Sequence, residues 1–206
     1  MPTKSGENLL LEKESYSNKG ESLIEMLVAV TIFAITIGAI SGIFISAVRT
    51  QRRVLATQEL LDQTSYVMEY MGRALRMAKK DLTGTCLSSP GYNYEAAFGV
   101  IKFIDYNDIC TTYILQDGRI NKITPNNPEC PVTLPPAPPS CPLTSDKLTV
   151  NSFQINLSGA AQPPADYLQP RVTIFLDVES KRSVPGSPPK IQIQTSISQR
   201  NVDVQY

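Results

Sequence analysis

Hydrophobic and polar positions change their rhythm three times along this chain. From Met26 to Val48 no residue is charged: "MLVAVTIFAITIGAISGIFISAV". As a helix this run is roughly 35 Å long, enough to cross a hydrocarbon core of about 30 Å. A secretory signal has an apolar stretch of only about 7–15 residues, so the run predicts a retained membrane helix. After Val48 the pattern becomes amphipathic without a break. Val54, Leu61, Met68 and Leu75 recur every seven residues, and Met71 and Ala78 fill the i+3 positions. Arg52, Gln58, Glu59, Asp62, Glu69, Arg73, Arg76 and Lys80 make the other face. No proline interrupts residues 21–88, and Gly84 within "TGT" is a plausible stop. The prediction is one helix from about Glu21 to Lys80, roughly 90 Å long at 1.5 Å per residue. Its second stripe needs a cover, because an amphipathic helix gains little alone. That cover is either a second helix in a dimeric coiled coil or the sheet that follows in the same chain; the sheet is the favoured reading.

From Ala96 the period changes to two. "AFGVIKFID" and "CTTYILQ" are strand-like, and Asp117-Gly118 in "LQDGRI" is a hairpin signal. "TPNNPECPVTLPPAPPSCPLT" reads as an exposed loop over 125–142, since proline lacks the donor that a helix or inner strand requires. Three clearer strands follow. Phe153, Ile155 and Leu157 share one face of the first, and Val172, Ile174, Leu176 and Val178 one face of the second. In the third, Ile191, Ile193 and Ile197 alternate with Gln192, Gln194, Ser196 and Ser198. Alternation of this kind marks half-buried antiparallel strands. The fold class is therefore α+β: a long N-terminal helix whose amphipathic half packs on a C-terminal antiparallel sheet. The parts are 1–20, a polar N-terminal segment; 21–48, the membrane helix; 49–84, its amphipathic continuation; and 85–206, a β-rich domain.

Composition narrows the chemistry. The 206 residues carry no formal net charge, so the basic face of a nucleic-acid binder is not expected. There is no histidine, which removes the commonest general base and the commonest metal ligand. Enzyme signatures such as G-x-S-x-G, a phosphate-binding loop or H-E-x-x-H are missing, and neither a cofactor nor a metal is predicted. "DYND" at Asp105–Asp108 offers two carboxylates but lacks the ligand spacing of a calcium loop, so a surface turn is expected. "NLS" at Asn156 fits a glycosylation sequon, a pattern short enough to arise by chance.

The four cysteines form no C-x-x-C pair. Cys130 and Cys141 bracket the proline-rich loop, and a disulfide there would close about 12 residues, contributing about 3 kcal/mol on the chain-entropy estimate. Cys86 at the helix exit would then pair with Cys110 on a strand. Three connectivities exist, and free thiols in a reducing compartment are the alternative. Gly38 and Gly42 are spaced G-x-x-x-G, which permits close helix approach or local unwinding; glycine is also simply commoner in membrane helices. Charge does not orient the segment. Lys4, Lys13 and Lys19 precede it and Arg49, Arg52 and Arg53 follow it, while the cysteines favour an exported C-terminal part.

The chemically unusual place is the start, "NKGESLIEMLVAV". A carboxylate in a membrane helix costs roughly 2.5–3.5 kcal/mol on insertion scales. Glu21 and Glu25 stand one turn apart and repel. Cleavage between Gly20 and Glu21 would create an α-amino group at the helix N-terminus. Glu25 could meet it, on its own chain or on a neighbouring copy. A carboxylate resting in the headgroup layer is the plainer account.

"KGESLIEMLVAVTIFAIT" resembles the leader of type IV prepilins and type II secretion pseudopilins: a short polar leader ending in glycine, then an apolar helix with glutamate at its fifth position. The resemblance implies that a membrane-embedded aspartyl prepilin peptidase cuts after Gly20 and N-methylates Glu21. It implies that Glu25 pairs with the N-terminus of the adjacent subunit, and that the helix enters a filament core with the β-domain outside. Partners would be other pilin or pseudopilin subunits, the peptidase and the inner-membrane assembly platform. The leader would face the cytoplasm and the C-terminal domain the exterior, before assembly into an extracellular filament or a periplasmic pseudopilus. Two positions depart from the family pattern: Glu21 replaces the usual apolar first residue, and Gly42 stands where a proline is usual. "YVMEYMGRALRMAKK" and "IQIQTSISQRN" resemble W-type minor pilins or J-type minor pseudopilins. A membrane-anchored surface binding protein is the competing functional class.

Overall fold

The computed structural model describes residues 22–125, 140–160, 168–182 and 186–200. Two compact units divide the chain after Ser46. A single α-helix, α1 (Leu23–Arg76), provides the first unit's described part and enters the second. Eight strands follow: β1 (Glu95–Ala97), β2 (Val100–Ile104), β3 (Cys110–Gln116), β4 (Arg119–Ile123), β5 (Ser140–Pro142), β6 (Leu148–Ser158), β7 (Arg171–Ser180) and β8 (Lys190–Ser198). The α+β layout is as the sequence predicts. The single sheet becomes two antiparallel sheets, β1-β2-β3-β4-β5 and β6-β7-β8.

Within the second unit, helix and sheets share one core. Leu60, Val67, Met71 and Leu75 of α1 pack with Ile101, Phe103, Tyr113 and Ile120 of the first sheet. Phe153, Val172, Ile174, Leu176, Val178 and Ile197 of the second sheet complete the cluster. The sheet, rather than another helix, covers the stripe. The seven-residue register requires correction, however. Val54 is 48% and Leu61 43% exposed, whereas Ala56, Leu60, Thr64, Val67, Met71, Leu75 and Ala78 are buried. These positions step by four, four and three, an eleven-residue repeat of about 3.67 residues per turn. A strict heptad drifts by about 20° per repeat on a straight helix, so it leaves a flat sheet. Thr64 fits because its hydroxyl donates to the Leu60 carbonyl at 2.6 Å.

The helix also ends earlier than Lys80. Its last carbonyls find partners elsewhere, as helix ends must. The Tyr94 hydroxyl donates to Leu75 O at 2.6 Å, Arg200 N to Arg76 O at 2.8 Å and Gln199 Nε2 to Ala78 O at 2.7 Å. Lys79 N then donates to Ile104 O at 2.9 Å, so the chain leaves the helix by pairing with β2.

Asp117-Gly118 turns β3 into β4, with Gln116 opposite Arg119, and both turn residues have positive φ. The proline-rich segment is not loop throughout: Ser140–Pro142 pairs with β4 as the outermost strand of its sheet, the one place a sheet tolerates proline. Residues 126–139, Cys130 among them, lie outside the described residues. In β6 the buried positions change parity, from Leu148 and Val150 to Phe153. A register shift between Val150 and Ser152 absorbs one residue, so both apolar sets face inward.

Candidate functional site: the N-terminal helix and the anchorage of its C-terminal half

The first turn of α1 starts from Ser22, whose carbonyl accepts from Glu25 N at 2.9 Å and Met26 N at 3.2 Å. Glu25 lies in that turn with its side chain exposed, and no described residue pairs with it. At the N-terminus of a helix a carboxylate is favoured by the aligned peptide dipoles. Gly20 and Glu21, the residues of the expected cleavage, lie outside the described residues, as does the expected leader over 1–20.

Beyond Glu25 the helix runs as a cylinder of unpartnered apolar side chains. Leu23 is 91%, Ile35 72%, Ile43 72% and Phe44 67% exposed. By length and composition this stretch is apolar enough to cross a membrane, and none of it is buried by the described residues. Water alone does not tolerate so large an apolar surface. Two of its hydroxyls satisfy themselves on the helix, as lipid surroundings require: Thr31 Oγ1 donates to Val28 O and Thr36 Oγ1 to Phe33 O, both at 2.8 Å. The α-helix continues through Gly38 and Gly42, without the local unwinding that glycine would permit. A Cβ at either position would meet nothing within 4 Å, so no contact with the described residues requires a glycine there.

The C-terminal half of α1 is fastened to the β-domain by three further devices. Glu59 takes Lys147 Nζ at 2.7 Å and Arg182 Nη1 at 3.1 Å, linking the helix to the start of β6 and the end of β7. The Lys147 hydrogen bond pulls its carboxyl below the usual range, against a smaller opposing effect of burial. The Cys86–Cys110 disulfide ties the segment after the helix to β3, with Cα atoms 5.5 Å apart. Cys141 is disulfide-bonded as well.

Sequence reasoning missed the third device, Asp81. Its side chain is buried and surrounded by amide donors: Leu87 N at 2.7 Å, Cys86 N and Gly84 N at 2.8 Å, and Thr83 N at 3.1 Å. Burial pushes its pKa up, but these four backbone hydrogen bonds outweigh it and hold the carboxyl far below the ordinary range. Asp81 N also donates to Tyr92 O at 2.9 Å, closing the loop 81–92 on itself. That loop carries Cys86 and positions Tyr94, so Asp81 organises both the disulfide and the helix cap. Gly84, expected as a helix stop, instead supplies one of these amides with φ +71°.

The remaining candidates are structural. Asp105 Oδ1 accepts from Asn107 N and Ile109 N, both at 2.9 Å, while Asp108 pairs with Lys79 at 2.7 Å, which makes "DYND" a turn between β2 and β3. Among the described residues no group of three or more His, Cys, Asp or Glu is placed to hold a metal. Asn156 is exposed on β6.

Residues 16–47 match the family model described as the Prokaryotic N-terminal methylation motif. The chain thus carries the leader motif found in type IV pilins and pseudopilins, and this motif coincides with the apolar helix. No curated protein and no solved structure matches the chain.

Proposed function

We propose that this chain is a structural subunit, of the minor kind, in a type IV pilus or a type II secretion-like pseudopilus. Prepilin peptidase would cut between Gly20 and Glu21 and methylate the new N-terminus at Glu21. The apolar part of α1 would hold the subunit in the cytoplasmic membrane, leader inside and β-domain outside, until the assembly platform transfers it into the filament. There the Glu25 carboxylate would pair with the N-terminus of the neighbouring subunit. Gly38 and Gly42 would allow close packing of adjacent helices. The observation that carries the reading is the exposed apolar half of α1 beside a matched leader motif. A carboxylate in its first turn then has a reason to be there.

Mass spectrometry of the membrane-extracted protein tests the reading. The expected species begins at Glu21 and carries one methyl group; a chain still starting at Met1 would overturn it. Glu25→Ala separates a filament subunit from a simple anchor: incorporation into filaments is expected to be lost, whereas membrane retention is kept.

A further inference from the structure

A cleft of about 440 Å³ opens between α1 and the first sheet, inside the second unit. Tyr70 and Met77 form its helical wall, Phe103 and Tyr113 its floor, and Tyr106, 60% exposed, its rim. The Phe103 and Tyr113 rings pack at 5.4 Å. Its size lies in the range of small-ligand sites, about 300–1,000 Å³.

Two of its polar groups keep unused donors. The Tyr113 hydroxyl is fully buried and has no hydrogen-bond partner among the described residues. Burial raises the phenol's pKa well beyond its usual value, with Tyr70 and Asp105 adding to the rise, so it stays protonated. Lys122 has no carboxylate partner among the described residues. Its Nζ donates to the Tyr70 hydroxyl at 3.3 Å and lies 5.8 Å from that ring's centre, leaving the ammonium with further N–H donors to offer. Arg73, also in the lining, engages Glu69 through Nε at 3.1 Å. Asp105 already accepts two backbone amides through one oxygen.

With Arg73 paired to Glu69, Lys122 is the lining's cation without a carboxylate partner among the described residues, and it stands with an unused hydroxyl donor among aromatic walls. One ammonium without a carboxylate partner fits a monoanion better than a dianion such as phosphate. Unused donors call for a ligand that only accepts, and aromatic walls call for an apolar body beside it. We propose that this cleft is a binding site for a carboxylate carried on an apolar or aromatic group, with Lys122 and the Tyr113 hydroxyl as its donors. The same chemistry is presented by a free aryl-alkanoate and by an acidic residue next to an aromatic one in a polypeptide. The inference does not depend on the filament reading.

The test uses the full chain in neutral maltoside micelles and ligand-detected NMR. The probes are 3-phenylpropionate, its amide, and the capped dipeptide N-acetyl-Glu-Phe-amide. At least one carboxylate probe is expected to bind, and 3-phenylpropionamide on the order of tenfold more weakly than the acid, since charge-assisted hydrogen bonds are the strong ones. Tighter binding of the dipeptide would identify a polypeptide source, and tighter binding of the free acid a small molecule. Lys122→Gln and Tyr113→Phe should each weaken binding on the order of tenfold. Tyr113→Phe should also leave the melting temperature unchanged or higher, because it removes a buried donor without a partner. The proposal is overturned if neither carboxylate binds at millimolar concentration or if acid and amide bind alike. It is equally overturned if both variants bind as the parent does, or if Tyr113→Phe lowers the melting temperature, which would mean that the hydroxyl already has a partner.

Discussion

The two halves of α1 are both rich in apolar residues, yet they solve opposite problems. Leu60, in the second half, is fully buried, while Ile35, in the first, is 72% exposed. The second half confines its apolar positions to one stripe and closes that stripe with two sheets of its own chain. The first half is apolar all round, the pattern of a helix whose surroundings are themselves apolar. Among the described residues no neighbour covers it, and the matched leader motif with a long apolar helix fits anchoring in a membrane. One continuous helix thus carries two different instructions: one for folding the domain, the other for what lies outside the chain.

The sharpest way to break the folding instruction is Asp81→Ala. It strands four backbone N–H groups, of which those of the buried Cys86 and Leu87 cannot turn to water and cost about 1–3 kcal/mol each when left unsatisfied. A loss of about 4 kcal/mol or more is expected, read as the thermal unfolding of the full chain in micelles by the near-UV signal of its tyrosines. Asp81 also sets an acid limit. Its folded-state pKa is depressed, so its contribution is complete above the unfolded value, near 3.9, and is lost as pH falls towards the folded value. Stability should therefore decline below about pH 4, and Asp81→Asn should flatten that decline while lowering stability at neutral pH.

Next in size is the disulfide. Cys86 and Cys110 are 24 residues apart, and opening that loop costs about 3.5 kcal/mol on the chain-entropy model. Cys86→Ser with Cys110→Ser should lower the melting temperature of the domain and leave membrane retention untouched. Leu60→Ala tests the contrast between the halves directly. In the second half it should cost about 3 kcal/mol, within the 2–5 kcal/mol of buried leucine truncations. Ile35→Ala should leave domain unfolding unchanged within about 0.5 kcal/mol. Equal losses for the two would contradict separate roles for the two halves.

Much of this was legible because periodicity reports local surroundings. The uncharged run from Met26 to Val48 announced its helix, and the alternation in β6, β7 and β8 announced theirs. The helix register was not, because apolar residues also recur every seven positions on the outer side, at Val54 and Leu61, while the face that packs against the sheets follows about 3.67 residues per turn. The parity change in β6 was hidden for a similar reason: alternation does not mark where one residue is squeezed out of register. Asp81 left a faint signal. Aspartate followed at the second and third positions by Thr83 and Gly84 is the composition of a side-chain-capped turn, and Thr83 N does donate to it. The cleft left none, since Tyr70 and Lys122, 52 residues apart, meet only through the fold. Glu25 was conspicuous from the sequence alone, and the structure adds that nothing described in its own chain partners it.

Glu59 makes the smallest test and the most local one. It stands half-buried at the edge of the packed half, and its two partners flank the same end of the β6–β7 pair, where Leu148 lies opposite Ser180. Exposed ion pairs gain little because water and salt screen them. Two cations converging on one carboxylate still restrain the helix against both strands at once. Glu59→Gln keeps the side chain's size and hydrogen-bonding reach while removing its charge. A small fall in melting temperature is expected at low salt, and the difference from the parent should vanish by about 0.5 M NaCl, where the screening length is only a few ångströms. A fall that persisted at high salt would mean that Glu59 acts through packing rather than charge. It would then belong with Leu60, among the residues that hold the helix to its own domain by contact.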